Sequence, residues 1–532
     1  MSSKHQSYTS IRYFSDLMSD YLDQKEHVKP LYHRFPKLDN FRDQIVDKKK
    51  EWDPLQNRRE VLQDVLVSQY ESIEDKDKTQ LNIDLLGKQH TFTVTTGHQL
   101  NLFTGPLYFL YKIISTINLC KTLSHKYPEY NFVPVYWMAT EDHDFEEIQY
   151  FNYGDKKVVY NRDSYGGVGR LSTDGLEDVL EVFKKLLGKH DNAQKVISLF
   201  EKGYLNNSNL ANATRVIAHE LFKEDGLVIL DADDSILKAL AIPYFKEELI
   251  SQTSFKEVSH TLDSWPHEYK VQVNPREINL FYLTDSYRKR IIEKDGSYSI
   301  DDTDIRFTKE EILKELQDHP ERFSPNVIMR PLYQEVVLPN LCYIGGGGEM
   351  AYWLELKQYF NSQQVTFPIL LMRNSALLVT SKQLDKVNRL KLEIWDLFKE
   401  DHELTTLLTN KISDIEIDFT TQKEHLKKQF EELFKIASLT EQSFENAVKA
   451  QEHKQIKGLE HLESRLLKAQ KRKLKDHLDR ALELKKELFP NDSLQERQTN
   501  FSLFYQEYGP SFISKIKESL DPLDQRFSVI EL

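Results

Sequence analysis

The sequence predicts an α/β protein, with a parallel, Rossmann-like sheet in its first part, connecting subdomains inserted into it, and a long helical coiled-coil arm after it. Three observations carry that prediction. Short β-rich apolar runs alternate with stretches of helical period, and each run ends abruptly in glycines or charged residues. Between Pro368 and Pro490 there is no proline and a single glycine, Gly458, in sequence dominated by Leu, Glu, Lys and Gln. Alternation of this kind favours parallel strands, because only a helix-sized crossover returns the chain to the same end of a sheet.

Taken in order, residues 1–90 read as amphipathic helices broken by Pro30, Pro36 and Pro54 and packing on the core. The charged run from Asp47 to Glu51 reads as a solvated face. Residues 91–245 form the first part of the core. The β-rich run Thr91 to Thr96 leads through a loop with Gly97 and Gly105 into a Pro106-started helix. Phe132 to Ala139 then ends in TEDHDFEE, and Leu227 to Leu230 ends in DADD.

Residues 246–330 break the alternation and predict an inserted connecting subdomain, with an Asp295-Gly296 turn and a capping box at Thr308-x-x-Glu311. Residues 331–380 hold the last core strands, around Leu341 to Ile344 and Phe367 to Met372. The arm spans 381–490. Its apolar stripe Ile456, Leu459, Leu462, Leu466 and Ala469 predicts an antiparallel helix pair, serving structure or dimerisation. Residues 491–532 form a tail returning to the core.

Bulk properties narrow the function. At 532 residues the chain exceeds one ordinary core, and its 39% apolar, 11% aromatic and 29% charged residues describe a folded, well-solvated protein. A formal charge of −13 repels nucleic acid and leaves no concentrated basic patch in the sequence. Cys120 and Cys342 lie in apolar runs without CxxC spacing, which predicts reduced thiols and no zinc site. The opening MSSKHQSYTS lacks the apolar core of a secretory signal and no apolar stretch reaches bilayer length, so the expected location is the cytoplasm, with no membrane partner.

Ligands of open parallel sheets gather beyond the carboxyl ends of the strands, and the polar clusters fall there. Gly97, His98 and Gln99, continuing to Thr104 and Gly105, offer close backbone approach, hydroxyls, an imidazole and a helix start suited to phosphate or carboxylate. A tight turn with a Pro-started helix accounts for the same residues. Glu141, Asp142, His143 and Asp144 crowd carboxylates at a strand end, where a base or an ammonium holder fits, and so does a helix cap. Arg330, Gln334 and Glu335 precede Gly345, Gly346, Gly347, Gly348 and Glu349, with Tyr352 and Trp353 following. Four successive glycines sacrifice chain entropy, as expected where a nucleotide phosphate approaches or a loop hinges. Arg373, Asn374 and Ser375 follow the last strand and suit an anion or an internal salt bridge. Asp231 and Asp233 hold the equivalent strand-end position, and no spacing marks a metal site.

The blocks TGHQLNLFTGPLYFLYKII, PVYWMATEDHDFEEI, GLVILDADD, RPLYQEVVLPNLCYIGGGGEMAYWLELK and PILLMRNSALL, over roughly 90–380, resemble the BshC family of bacillithiol biosynthesis in the same order. The resemblance implies a core related to nucleotidyltransferases and class I aminoacyl-tRNA synthetases, with a coiled coil used for homodimerisation. It also implies ligation of cysteine to glucosaminyl malate by an amide bond, with ATP as expected cosubstrate. On that reading Asp142, His143 and Asp144 act in catalysis, the Gly345–Gly348 loop with Glu349 and Tyr352 holds the nucleotide, and Gly97, His98, Gln99, Thr104, Gly105, Glu141, Arg330, Gln334, Glu335, Arg373, Asn374 and Ser375 bind substrate. The residues alone also fit a nucleotidyltransferase acting on another small metabolite, or a non-catalytic nucleotide-sensing scaffold.

Overall fold

In the computed structural model, residues 4–532 are described. Five fully or largely buried strands form the central sheet: β1 (Thr91–His98), β2 (Asn131–Met138), β3 (Val228–Asp231), β4 (Asn340–Gly345) and β5 (Ile369–Met372). Burial on both faces explains why these runs lack polar alternation, since crossover helices cover a parallel sheet on each side. Their order is β5-β4-β1-β2-β3, every neighbouring pair parallel. The sheet is Rossmann-like. Every apolar run read as a core strand is present, within one or two residues of its expected ends.

The order of strands decides where a ligand can enter. From β1 the chain builds outward through β2 to β3, then returns to lay β4 against the other side of β1. The two crossovers leave β1 and β4 in opposite directions, opening a crevice above their carboxyl ends. Helix α1 (Tyr108–Lys126) packs on β1 and β2, helix α2 (Met329–Val337) leads into β4, and helix α3 (Gly347–Leu354) leaves it. Beneath lies an apolar core including Phe92, Val94, Leu123, Leu341, Ile344 and Leu371, where Cys120 and Cys342 sit as free, buried thiols.

The segment between β3 and β4 contributes a second sheet of five antiparallel strands, ordered Arg306–Thr308, Ser297–Ile300, Arg288–Lys294, Leu280–Leu283 and Phe323–Pro325. Its central hairpin turns at Asp295 and Gly296, both with positive φ, and the capping box of Thr308 and Glu311 starts its helix.

Contacts divide the chain into two compact units. The first runs to Leu377 and resumes over Ser493–Ile530, so it contains both sheets just described and the tail. The N-terminal segment differs from the all-helical expectation: Lys4–Ser7 forms a strand antiparallel to Arg526–Glu531. Its charged run is not wholly solvated either. Lys48 is fully buried and pairs with Glu335 at 3.3 Å, a long-range partner that local sequence cannot reveal.

The second unit, Leu378–Asp492 with Glu531–Leu532, is the helical arm. Helices Thr420–Ala437 and Gln442–Lys473 pack together around Phe430, Ala437 and Val448. Of the predicted stripe, Ile456, Leu459, Leu466 and Ala469 are half-buried, whereas Leu462 is 53% exposed. Among the described residues no helix is long and apolar enough to cross a membrane.

Candidate active site

A cleft of about 1070 Å³ occupies the crevice, entirely within the first unit. Its floor is the carboxyl end of β1 and β4, with Gly97 and His98 on one side and Gly346, Gly347 and Gly348 on the other. Lys112 of α1 joins the two loops. Its ammonium donates to the Gly97 carbonyl at 2.7 Å and pairs with Glu349 at 2.5 Å, while Glu349 also accepts the Gly346 N–H at 2.9 Å and the Tyr343 hydroxyl at 2.8 Å. With Lys112 buried, Glu349 partly so, and all four bonds made, the pair fixes the geometry of the switch point.

The glycines differ in purpose. A Cβ at Gly97 would stand 3.1 Å from the Tyr343 hydroxyl, so close strand packing explains that residue. At Gly348 a Cβ would meet nothing within 4 Å, so protein packing does not require it. Its N–H and that of Gly347 open α3, where unpaired amides and the helix dipole favour an anion.

Above β2, Glu141 and Asp142 line the cleft and His143 and Asp144 do not, both being exposed. Glu141 is tied to Lys238, which also pairs with Asp233 at 3.1 Å, and Asp233 is held by Arg170. Asp231 accepts from the Thr140 hydroxyl at 2.5 Å. Asp142 accepts from Gln99 Nε2 at 2.8 Å, and Gln99 lines the same wall. The His143 imidazole is held neutral by partial burial and by Arg288, whose Nη1 lies 3.2 Å from its Nδ1.

Arg330 faces the cleft, donating to Gln334 at 3.0 Å and to the Tyr352 hydroxyl at 3.0 Å. Gln334 and Glu335 stand behind it, fully buried, and burial pushes the Glu335 carboxyl up to about 7 despite Lys48. Arg373 reaches the cleft wall but pairs with Glu496 at 2.8 Å. Asn374 and Ser375 turn away from the cleft, bonded to Ser115, Asp521 and Glu496. Thr104 and Gly105 also lie behind the wall, in a loop clamped by Asn500, which donates to the carbonyls of Phe103 and Gly105 at 2.8 and 2.6 Å. Gly345 ends β4 outside the cleft lining, packed against Tyr343 and Glu349. The structure therefore brings together Gly97, His98, Gln99, Glu141, Asp142, Arg330, Gly346–Gly348, Glu349, Tyr352 and Arg373 on one rim.

Four arginines of that rim carry no sequence signal. Arg276, Arg288 and Arg290 project from the inserted segment, and Arg497 from the tail. Arg288 lies 4.0 Å over the Phe281 ring and donates to Ser324 and the Pro325 carbonyl. Among the described residues, Arg276, Arg290 and Arg497 have no carboxylate within ion-pair distance, and Arg290 Nε is enclosed without an acceptor. The strap carrying Arg276 is gripped by Glu355, whose buried carboxylate accepts the N–H groups of Gln272 and Val273 at 2.7 and 3.2 Å. Among the described residues no group of three or more His, Cys, Asp or Glu is placed to hold a metal ion.

Comparison with known proteins adds a second line of evidence. The family model described as the N-terminal Rossmann-like domain of bacillithiol biosynthesis BshC matches residues 1–374, and that described as its C-terminal coiled-coil domain matches residues 376–532. Relatives named "Putative cysteine ligase BshC" occur in Christiangramia forsetii, 57% identical with 98% of each chain covered, and in Flavobacterium johnsoniae, 57% identical with 99% of each covered. The relative in Cytophaga hutchinsonii bears the same name at 37% identity, over 96% of this chain and 95% of that one. A solved chain titled as a putative arginyl t-RNA synthetase from Campylobacter jejuni aligns over 84% of this chain and 97% of that chain at 11% identity, with a TM-score of 0.21, too loose to bear on mechanism.

Proposed function

The chain belongs to the bacillithiol biosynthesis BshC family, and from that membership we propose that it is a cytoplasmic cysteine ligase, joining the cysteine carboxyl group to the amine of glucosaminyl malate. The observation that carries this reading is the charge of the cleft. In a chain of net charge −13, unpaired guanidinium groups of Arg276, Arg290 and Arg497 converge on the switch point of the sheet. Their mutual repulsion leaves a local positive potential that an anionic occupant would relieve. The malyl group brings two carboxylates, which guanidinium forks match in shape.

A carboxylate is a poor acyl donor and needs activation, for which ATP is the cosubstrate of this reading. The free N–H groups of Gly347 and Gly348 receive its phosphate charge, and Arg330 lies within the same rim to balance what develops there. Asp142, held by Gln99, takes the ammonium group of cysteine. The arm pairs with a second copy through its tip, where Ile436, Leu439 and Phe444 are exposed.

The test is mass spectrometry of the purified protein incubated with cysteine, glucosaminyl malate and ATP. Bacillithiol with AMP is expected for an adenylate route and bacillithiol with ADP for an acyl phosphate. Pyrophosphate release without any cysteinyl product would replace ligation by nucleotidyl transfer.

A further inference from the structure

Arg330 reaches the cleft half-buried, and what aims its guanidinium lies in the core behind it. Nη1 donates to Gln334 Oε1 at 3.0 Å and Nη2 to the Tyr352 hydroxyl at 3.0 Å. Gln334 Nε2 donates in turn to Glu335 Oε1 at 3.1 Å, and the same oxygen accepts from Asn340 Nδ2 at 2.7 Å. Glu335 Oε2 lies 3.3 Å from Lys48 Nζ, which also pairs with Glu51 at 3.3 Å and donates to the Thr366 carbonyl at 3.2 Å. Gln334, Glu335, Asn340 and Lys48 are fully buried, so bulk water does not replace a bond that fails.

Chemistry fixes the direction of every bond in this chain. A guanidinium and an ammonium only donate. Gln334 must therefore turn its oxygen to Arg330, which leaves its NH2 group for the next residue, and Lys48 at the far end likewise needs an oxygen. A run of side chains between two donor-only ends is satisfied only if one member accepts on both sides. Glu335 is that member. Oε1 keeps this role even in a protonated carboxyl, since two amide N–H groups already occupy it and the proton takes Oε2. An amide in its place accepts on one side only. With its oxygen toward Lys48, its NH2 group would meet that of Gln334, which must turn over and present N–H groups to the guanidinium.

Resting on the ligase reading, in which Arg330 balances charge developing at the phosphate, we propose that Glu335 is a positioning residue for activation of the cysteine carboxyl group, fixing the Gln334 amide and through it the aim of Arg330 into the cleft. Glu335 itself, fully buried, meets no substrate. With Tyr352 holding Nη2, losing the acceptor of Nη1 leaves the guanidinium to swing about one remaining bond. The N-terminal segment takes part as well, because Lys48 sits in its helix Asn40–Trp52.

Glu335→Gln is expected to lower kcat by about 10- to 100-fold with KM for ATP changed only a few-fold, because a misaimed cation matters most where charge develops. Gln334→Met removes the acceptor of Arg330 outright and is expected to cost about as much. Adding Glu335→Gln to Gln334→Met should then slow the enzyme no further, whereas two independent packing defects multiply. Wild-type kcat in Glu335→Gln, or a full second loss in the double variant, overturns the proposal; each rate is measured below that variant's melting temperature. Glu335→Gln/Lys48→Met keeps the buried charges balanced should the single variant not fold. Its amide is free to turn its oxygen back to Gln334, so kcat within a few-fold of wild type is expected and a loss of about 10-fold or more overturns the proposal. A wild-type protein that forms no cysteinyl product refutes the ligase reading instead. The crystal structure of Glu335→Gln is independent of substrate: Arg330 Nη1 drawn away from Gln334 is expected, and an unmoved guanidinium keeping its 3.0 Å bond overturns the assignment.

Discussion

Glu355 couples the cleft wall to pH. Its carboxyl is fully buried with no cation beside it, and burial pushes it up from 4.5 to about 7. That displacement is worth about 3 kcal/mol. Because the folded value lies above the unfolded one, the native state binds the extra proton between the two, and stability falls as pH rises through that window. Integrating from about pH 5 to about pH 8 gives a loss of about 2.5 kcal/mol from this residue alone. Glu335, also raised to about 7, adds a parallel slope, so the wild-type curve by itself cannot isolate one carboxyl. Urea unfolding of wild type and Glu355→Gln across this range does. The variant lacks the titration, and its stability relative to wild type is expected to improve by about 2.5 kcal/mol from the acid to the alkaline end. A relative stability that stays flat with pH would refute the reasoning.

Lys112→Met removes the bridge between the Gly97 and Gly346 loops and strands Glu349; chemical denaturation should show a loss of about 3–5 kcal/mol, part of which Lys112→Met/Glu349→Gln recovers. Arg290→Ala is expected to raise KM for glucosaminyl malate by about 10- to 150-fold, the equivalent of about 1.5–3 kcal/mol for a charged hydrogen bond, with an unchanged melting temperature. An unchanged KM in steady-state kinetics would remove Arg290 from acceptor binding. Leu439→Glu/Phe444→Glu is expected to convert a dimer to a monomer in light scattering, while a monomeric wild type would refute pairing through the arm tip.

What was legible in the sequence follows from the range of the interactions involved. All five strands of the parallel sheet show as apolar runs because each is buried on both faces, and hairpin and capping box are written in adjacent residues. The rim itself was legible through Gly97, His98, Asp142 and the Gly346–Gly348 loop, all at or just beyond the carboxyl end of a strand. Side-chain direction was not. Gln334, Glu335, Asn374 and Ser375 are neighbours of rim residues in sequence, yet they serve the core, because partners such as Lys48 and Glu496 lie more than a hundred residues away. Arg276, Arg288, Arg290 and Arg497 were invisible for the complementary reason. Arg276 and Arg497 stand alone and Arg288 and Arg290 flank Lys289, none beside a glycine turn or a core-strand end, and only the folding of the inserted segment and the tail over the crevice gathers them.

That gathering gives an acidic protein a cationic cleft. The −13 charge spread over the whole chain repels anions at long range, but beyond about 8–10 Å exposed charges are largely screened at physiological salt. Inside a cleft walled by Trp137, Met138, Leu280 and Phe281 the dielectric is lower and a few local charges prevail. The cations bound to the parallel sheet, Lys112 and Arg373, already have carboxylate partners and so set geometry. Those of the inserted segment and tail, Arg276, Arg290 and Arg497, have none among the described residues, and so are open to a ligand's charge. On the proposed function, the Rossmann-like sheet would offer the Gly347 and Gly348 amides to phosphate, while the choice of acceptor would fall to the insertion and the tail.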